Sequence, residues 1–212
     1  MRLYAVADIH GRSDRMTVIK SNLEKYRPNA LVAAGDITTF RKASFVSALG
    51  DLSLPVLALR GNTDLKRVES WAALKENILF LNNRDVTLLG THFTGVSGAI
   101  PIPFRSRIAF RETAIWNRLI PRITSQTILV AHPPPWGYLD RVMGKYHAGC
   151  KSLEKVIRSC QPALVICGHI HEDAGMAHLG KTLIVNCAMG TSCKGAIIDI
   201  LNGRIAAEIL KI

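Results

Sequence analysis

Short apolar runs alternate with amphipathic stretches through the first third of the chain. Leu3–Ala7, Ala30–Ala34 and Pro55–Leu59 are compact runs of mainly Ala, Val and Leu, and a glycine or a polar cluster follows each. Apolar residues on consecutive rather than alternate positions predict strands buried on both faces. Between the runs, Asp14–Lys25 places Met16, Ile19 and Leu23 on one face of a helix, and Phe40–Leu49 and Lys66–Leu74 read as two more helices. This strand–loop–helix rhythm predicts a parallel sheet built from βαβ units.

The pattern changes after Leu74. Ile78–Phe80, Val86–Leu89 and His92–Val96 read as short strands, followed by a Gly/Pro loop over Ser97–Pro103. Ser106–Leu119 reads as a helix, Thr127–Val130 as a strand, Ser152–Arg158 as a helix and Ala163–Cys167 as an apolar strand. The tail from Met176 to Leu210 carries three strand patterns, Thr182–Asn186, Ala196–Ile200 and Arg204–Leu210, and reads as an antiparallel meander. There is no internal repeat, linker or low-complexity tract. The expected fold is a single α/β domain over 1–212, with two mixed β-sheets packed face to face as a sandwich flanked by helices.

Composition narrows the class without naming a substrate. The 212 residues suffice for one substantial core, and 48% hydrophobic against 20% charged residues fits a globular chain. No apolar run approaches a membrane span, and the N-terminal apolar stretch is too short for a signal peptide and ends in Asp8. A cytoplasmic location follows as the default expectation. Twenty-seven basic against sixteen acidic side chains give a net charge of +11. That balance suits either simple solubility or polyanionic partners such as nucleotides and nucleic acid. The five cysteines are scattered and form no CxxC pair, which reads as reduced structural thiols.

The candidate chemistry sits at the ends of the predicted strands. Asp8-Ile9-His10-Gly11, Gly35-Asp36, Gly61-Asn62-Thr63-Asp64, Ala131-His132-Pro133 and Gly168-His169-Ile170-His171 each follow an apolar run. In open α/β sheets the carboxyl ends of the strands share one crevice, so five such loops can meet there. Asp, His and Asn together offer oxygen and imidazole donors suited to Mn²⁺, Fe, Zn²⁺ or Ni²⁺, and no thiolate joins them, which argues against a structural zinc site. Asp8/His10 and His169/His171 are i, i+2 pairs, which an extended backbone would point the same way. A lone Gly-Asp, Gly-Asn or loop histidine is usually a turn or a cap. The ordered set of five carries the inference.

These motifs resemble the calcineurin-like metallophosphoesterases, whose pattern is D-x-H, GD, GN-[H/C/T]-[D/E], H and GH-x-H. The resemblance covers nearly the whole chain. It is nearest to small prokaryotic predicted phosphoesterases, which share the loop Gly95–Phe104, the loop His132-Pro133-Pro134-Pro135-Trp136-Gly137 and the run His171-Glu172-Asp173-Ala174-Gly175. It implies two divalent transition-metal ions. Asp8, His10, Asp36 and His171 would hold one, and Asp36, Asn62, His132 and His169 the other, with Asp36 and a hydroxide bridging them. The hydroxide would attack phosphorus, with Asp36, Asn62 and His132 central to catalysis. Asp64 would orient His10. Most relatives carry a histidine after Gly-Asn that protonates the leaving group; this chain has Thr63, which cannot serve as that acid.

The implied function is metal-dependent hydrolysis of a phosphoester in a phosphorylated small molecule or nucleotide, with diesters preferred over monoesters. A nuclease of the same chemistry and a weakly catalytic or non-catalytic binding scaffold are the other two readings. Arg105, Arg107, Arg111, Arg118 and Arg122 share a segment with one acid, Glu112, and form either a solvated helix face or a phosphate-reading rim. Arg105, Arg107 and His147 are candidate substrate contacts, His92 is a further spare histidine, and Trp136 and Tyr138 can stack on a base or pack their loop.

Overall fold

The computed structural model of the protein describes residues 1–39, 44–97, 116–190 and 192–211. Two six-stranded mixed sheets form its centre. In the first, β1 (Arg2–Val6), β2 (Ala30–Ala34), β3 (Val56–Leu59) and β4 (Ile78–Phe80) run parallel. The hairpin of β13 (Cys193–Leu201) and β14 (Arg204–Lys211) extends this sheet on the β1 side. The second sheet has the order β11-β12-β10-β7-β6-β5. Its parallel strands are β6 (Thr91–Val96), β7 (Ile128–Ala131), β10 (Leu164–Cys167) and β12 (Thr182–Asn186). The antiparallel strands β5 (Asp85–Leu88) and β11 (Gly175–Leu179) close its two edges.

Consecutive apolar residues in the strands have a direct structural use. Leu3, Ala5, Val32, Leu57 and Leu59 of the first sheet meet Ile128, Val130, Leu164, Ile166 and Val185 of the second in the central core. The intervening residues Tyr4, Val6, Leu31, Ala33 and Val56 face outward. They pack beneath Met16 and Ile19 of α1 (Ser13–Tyr26), Val46 of α2 (Ser44–Gly50) and Val68 of α3 (Arg67–Ala72). On the opposite side Leu129, Val165 and Ile184 pack beneath Leu153, Val156 and Ile157 of α4 (Lys151–Cys160). The central parallel strands are thus apolar on both faces, in a helix–sheet–sheet–helix stack. Full burial of each Leu, Ile or Val contributes roughly 1.5–3 kcal/mol.

The tail differs from the expected meander. β11 and β12 form a hairpin in the second sheet, while β13 and β14 form one in the first. The chain thus changes sheets after Asn186, the end of β12. β12 runs parallel to β10, and β13 pairs with β1 at the other end of the chain. Alternation along a strand specifies a buried face but not its partner. A two-stranded hairpin of β8 (Arg141–Val142) and β9 (Tyr146–His147) was not expected. The expected helix at 40–49 is observed over Ser44–Gly50, with residues 40–43 outside the described residues. Most of the loop to Phe104 and of the helix at 106–119, including Arg105, Arg107, Arg111 and Glu112, also lies outside them; residues 116–119 are helical. Among the described residues no helix is long and apolar enough to cross a membrane.

Candidate metal centre

The five loops converge where the parallel strands end. Asp8 lies two residues beyond β1, Asp36 two beyond β2 and Asn62 three beyond β3; His132 directly follows β7, and His169 follows β10 by two. The strand ends are laced together. Asp8 N–H donates to the Gly35 carbonyl (2.9 Å), His10 N–H to the Asp36 carbonyl (2.8 Å), and Gly168 N–H to the His132 carbonyl (2.8 Å). Across the sandwich, Asp8 Oδ2 accepts from His169 N–H at 2.7 Å and His132 Nδ1 donates to the Ala34 carbonyl at 3.0 Å. The cluster therefore joins both sheets.

Backbone conformation aims these side chains, by a route other than extended i, i+2 geometry. Asp8 (φ 59°), His10 (φ 55°), Asp36 (φ 50°) and His169 (φ 71°) all occupy the left-handed region. Such residues cost of order 1–3 kcal/mol each and persist where the surroundings enforce them. Two glycines clear the space that the carboxylates fill. A methyl group on Gly61 would collide with Asp36 Oδ1, and one on Gly168 would sit 2.6 Å from Asp8 Oδ2.

The polar atoms face one another in a way that calls for a cation. The Ala34 carbonyl can only accept, so His132 Nδ1 carries a proton, and in the neutral ring Nε2 presents a lone pair. That lone pair faces Asn62 Oδ1 at 2.9 Å and Asp36 Oδ2 at 3.6 Å, both acceptor oxygens. His10 Nε2 stands 3.9 Å from Asp36 Oδ2 and 3.9 Å from Asp8 Oδ1. His171 Nε2 is 3.1 Å from Asp8 Oδ1, a contact that is electrostatic rather than a well-directed hydrogen bond, and Asp8 Oδ1 is buried without a hydrogen-bond donor. Two compact donor groups result: Asp8, His10 and His171, and Asp8, Asp36 and His132. Asp36 Oδ2 lies between His10 and His132. The imidazoles of His132 and His169 meet edge to face at 5.0 Å. Buried carboxylate oxygens and imidazole nitrogens gathered at this spacing are a donor set that divalent metal ions fit.

The electrostatics follow from burial and pairing. Burial alone would raise the Asp8 carboxyl, but His171, His132 and the His169 amide outweigh it and hold the group below its ordinary value. Burial raises Asp36 despite His132 and the Thr63 amide, and it lowers His10 despite the two carboxylates. Burial pushes His169 down to about 4, whereas contact with Asp8 raises His171.

Some neighbours play roles that the sequence did not suggest. Asp64 does not orient His10. It accepts hydrogen bonds from the amides of Ile37, Thr38 and Gly61 and from the Thr38 hydroxyl, and so ties the Asp36 loop to the Asn62 loop. The group at His10 is Thr63: its hydroxyl donates to the Thr38 carbonyl at 2.8 Å and lies 3.5 Å from His10 Nδ1. Arg15, half-buried in the first turn of α1, donates to the Asp8 carbonyl, and its charge reaches His10 and His171. Asn186 donates to the carbonyls of Leu139, Ile170 and Asp173 and so fixes the turn bearing His171. Arg15 gave no signal beyond its place after Asp8-Ile9-His10; Asn186 was visible only as a polar residue ending an apolar strand. His92 stands near the start of β6, away from the carboxyl ends, bonded to Thr127 Oγ1 at 3.1 Å.

A carboxylate and imidazole cluster across the strand ends of a two-sheet sandwich is a site that could hold metal ions. The chain belongs to the calcineurin-like phosphoesterase superfamily, whose domain model matches residues 1–194. It is 29% identical over 199 residues to an uncharacterised protein of Methanocaldococcus jannaschii, covering 88% of this chain and 87% of that one. It is 27% identical over 230 residues to the human metallophosphoesterase domain-containing protein 1, covering 90% of this chain and 66% of that one. Among solved structures, a Thermus thermophilus protein superposes with a TM-score of 0.69 at 15% identity, covering 98% of each chain. A protein described as a novel archaeal phosphodiesterase superposes at 0.59 and 15% identity, covering 99% of this chain and 100% of that one.

Proposed function

We propose that the protein hydrolyses phosphodiesters at a dinuclear centre. Asp8, His10 and His171 would serve one ion, Asn62, His132 and His169 the other, and Asp36 would lie between them. The observation that carries this reading is the convergence of His132 Nε2, Asn62 Oδ1 and Asp36 Oδ2, three atoms of metal-ligating type within 2.9–3.6 Å of the imidazole nitrogen. Bound ions supply charge neutralisation at the phosphoryl group and acidity to the attacking water.

The chain's own residues orient and select. The Ala34 carbonyl fixes the tautomer of His132, and Thr63 backs the ring of His10. Asp64 holds the Asp36 and Asn62 loops at a constant separation. Arg15 keeps one amino group on the Asp8 carbonyl, and the rest of its guanidinium would contact a phosphoryl oxygen. Arg15 thus places a cation beside Asp8, His10 and His171.

The test is a hydrolysis screen of Mn²⁺-reconstituted protein on p-nitrophenyl monoesters and diesters, cyclic nucleotides and oligonucleotides. Diesters should turn over with the higher kcat/KM, and Asp36→Ala should abolish turnover. Faster cleavage of monoesters would reverse the diester assignment, and inactivity on every ester would remove the hydrolase reading.

A further inference from the structure

Cleavage of an ester of a poor leaving group needs a proton at the departing oxygen. The groups at the centre are already committed: its four histidines face carboxylates or one another, and the Thr63 hydroxyl donates to a carbonyl. An aspartate–histidine pair stands on the segment that follows His132. Asp140 is fully buried, yet its one side-chain partner is a histidine at the surface. Its Oδ1 meets His147 Nδ1 at 2.6 Å, while Oδ2 accepts the amides of Gly137 (3.1 Å) and Gly149 (2.9 Å). A methyl group on Gly149 would come within 2.8 Å of Asp140 Oδ2, so the cradle is fitted to the carboxylate. The carboxylate can only accept, so Nδ1 of His147 carries the proton and Nε2 is the working atom. Nε2 has no hydrogen-bond partner among the described residues, and the side chain is 35% exposed.

The pair is wired to the candidate centre at both ends. Its loop leaves the second sheet at His132. Its β8 strand, whose Arg141 faces His147 across the hairpin, is held to the turn after His171 by Arg141 N–H on Asp173 Oδ2 (2.8 Å) and Met143 N–H on Glu172. Asn186 donates to the carbonyls of Leu139 and Ile170 together, so the start of this segment is held to the His171 turn. His171, with a side chain 38% exposed, marks the open side of the cluster. The Trp136 ring lies 5.6 Å from His147 and offers a flat apolar surface beside it.

We infer that the Asp140–His147 pair is the proton donor to the leaving group, with Trp136 flanking the leaving group's place; this rests on the proposed hydrolase activity. In the step, water oxygen forms the new P–O bond and its proton passes to solvent. The P–O bond to the leaving group breaks, its electron pair stays on the departing oxygen, and that oxygen takes the Nε2 proton of the His147 imidazolium. His147 regains a proton from solvent. Asp140 is the positioning residue: it fixes the tautomer and offsets the charge of the imidazolium.

The experiment uses Mn²⁺-loaded protein and methyl aryl phosphodiesters running from p-nitrophenyl to phenyl leaving groups. For His147→Gln the loss in kcat/KM should grow along the series, from a few-fold at p-nitrophenyl to roughly 10²-fold or more at phenyl. Asp140→Asn should steepen the same dependence, with its thermal unfolding followed in parallel. An equal loss across the series, or none, for His147→Gln overturns the assignment. So does an Asp140→Asn variant that loses stability and keeps the wild-type slope, since that marks a loop staple alone. Wild-type inactivity on every diester overturns the diester assignment and the donor assignment with it.

Discussion

His171 and His169 differ by two positions in sequence and in opposite directions in proton affinity. Burial lowers His169 to about 4, so it is neutral throughout the physiological range. Contact with Asp8 raises His171 above its ordinary value, so the metal-free protein keeps a proton there at pH 6.5. A metal ion must displace that proton. Apparent Mn²⁺ affinity should therefore rise as pH rises through the folded value of His171, with His169 already neutral well above about pH 4. The sign for stability is opposite at the two sites. His171 stabilises the metal-free fold at low pH and loses that effect as pH rises through its folded value. His169 costs stability as pH falls from the unfolded value toward about 4, because the unfolded chain then takes the proton. Titration calorimetry as a function of pH, on wild type and His171→Gln, checks the first statement; a wild-type affinity independent of pH would contradict it. The identities of these histidines were readable from GHxH, but their opposite shifts were not, because Asp8 lies 161 positions from His169 in the chain.

At the scale of the element, the strand–turn junction is the functional unit. Apolar runs ending in a glycine and a polar residue located these junctions in the sequence, and strand boundaries followed within a residue or two. The turns themselves were hidden. Left-handed Asp8, His10, Asp36 and His169 replace the extended pairs that periodicity suggested, because neighbouring amides and carbonyls of the other strand ends hold them. Gly61 shows how tightly the junctions fit. Asp36 Oδ1 and its backbone nitrogen occupy the space of a side chain, so Gly61→Ala must push Asp36 away from His132. This variant should lose at least about 1–3 kcal/mol of stability, the range for overpacking, and bind Mn²⁺ more weakly. Denaturant unfolding and calorimetry would show both; wild-type stability together with wild-type affinity would mean that the Asn62 loop yields freely. The β8–β9 hairpin escaped the sequence reading because two-residue strands carry no usable period. Asp140 escaped with it, since a lone acid in a Gly-rich loop resembles any turn residue.

The whole molecule is two βαβ-like halves whose strand ends face a shared seam. The sandwich was legible because strands buried on both faces need a layer on each side, and the alternation of runs and helices supplied those layers. The assignment of strands to sheets was not: Cys193–Leu201 pairs with Arg2–Val6 across nearly the full chain, and no local pattern encodes that partner. The seam explains why the centre draws Asp8, Asp36 and Asn62 from one sheet and His132, His169 and His171 from the other. A cation there would clamp the two sheets as well as serve chemistry. The dinuclear centre is tested most directly by counting metal. Protein reconstituted with Mn²⁺ and dialysed should contain two ions per chain by elemental analysis, and Asp36→Ala, which removes the carboxylate between His10 and His132, should lose both. One ion or none in the intact protein, or an Asp36→Ala variant that retains two, would contradict it.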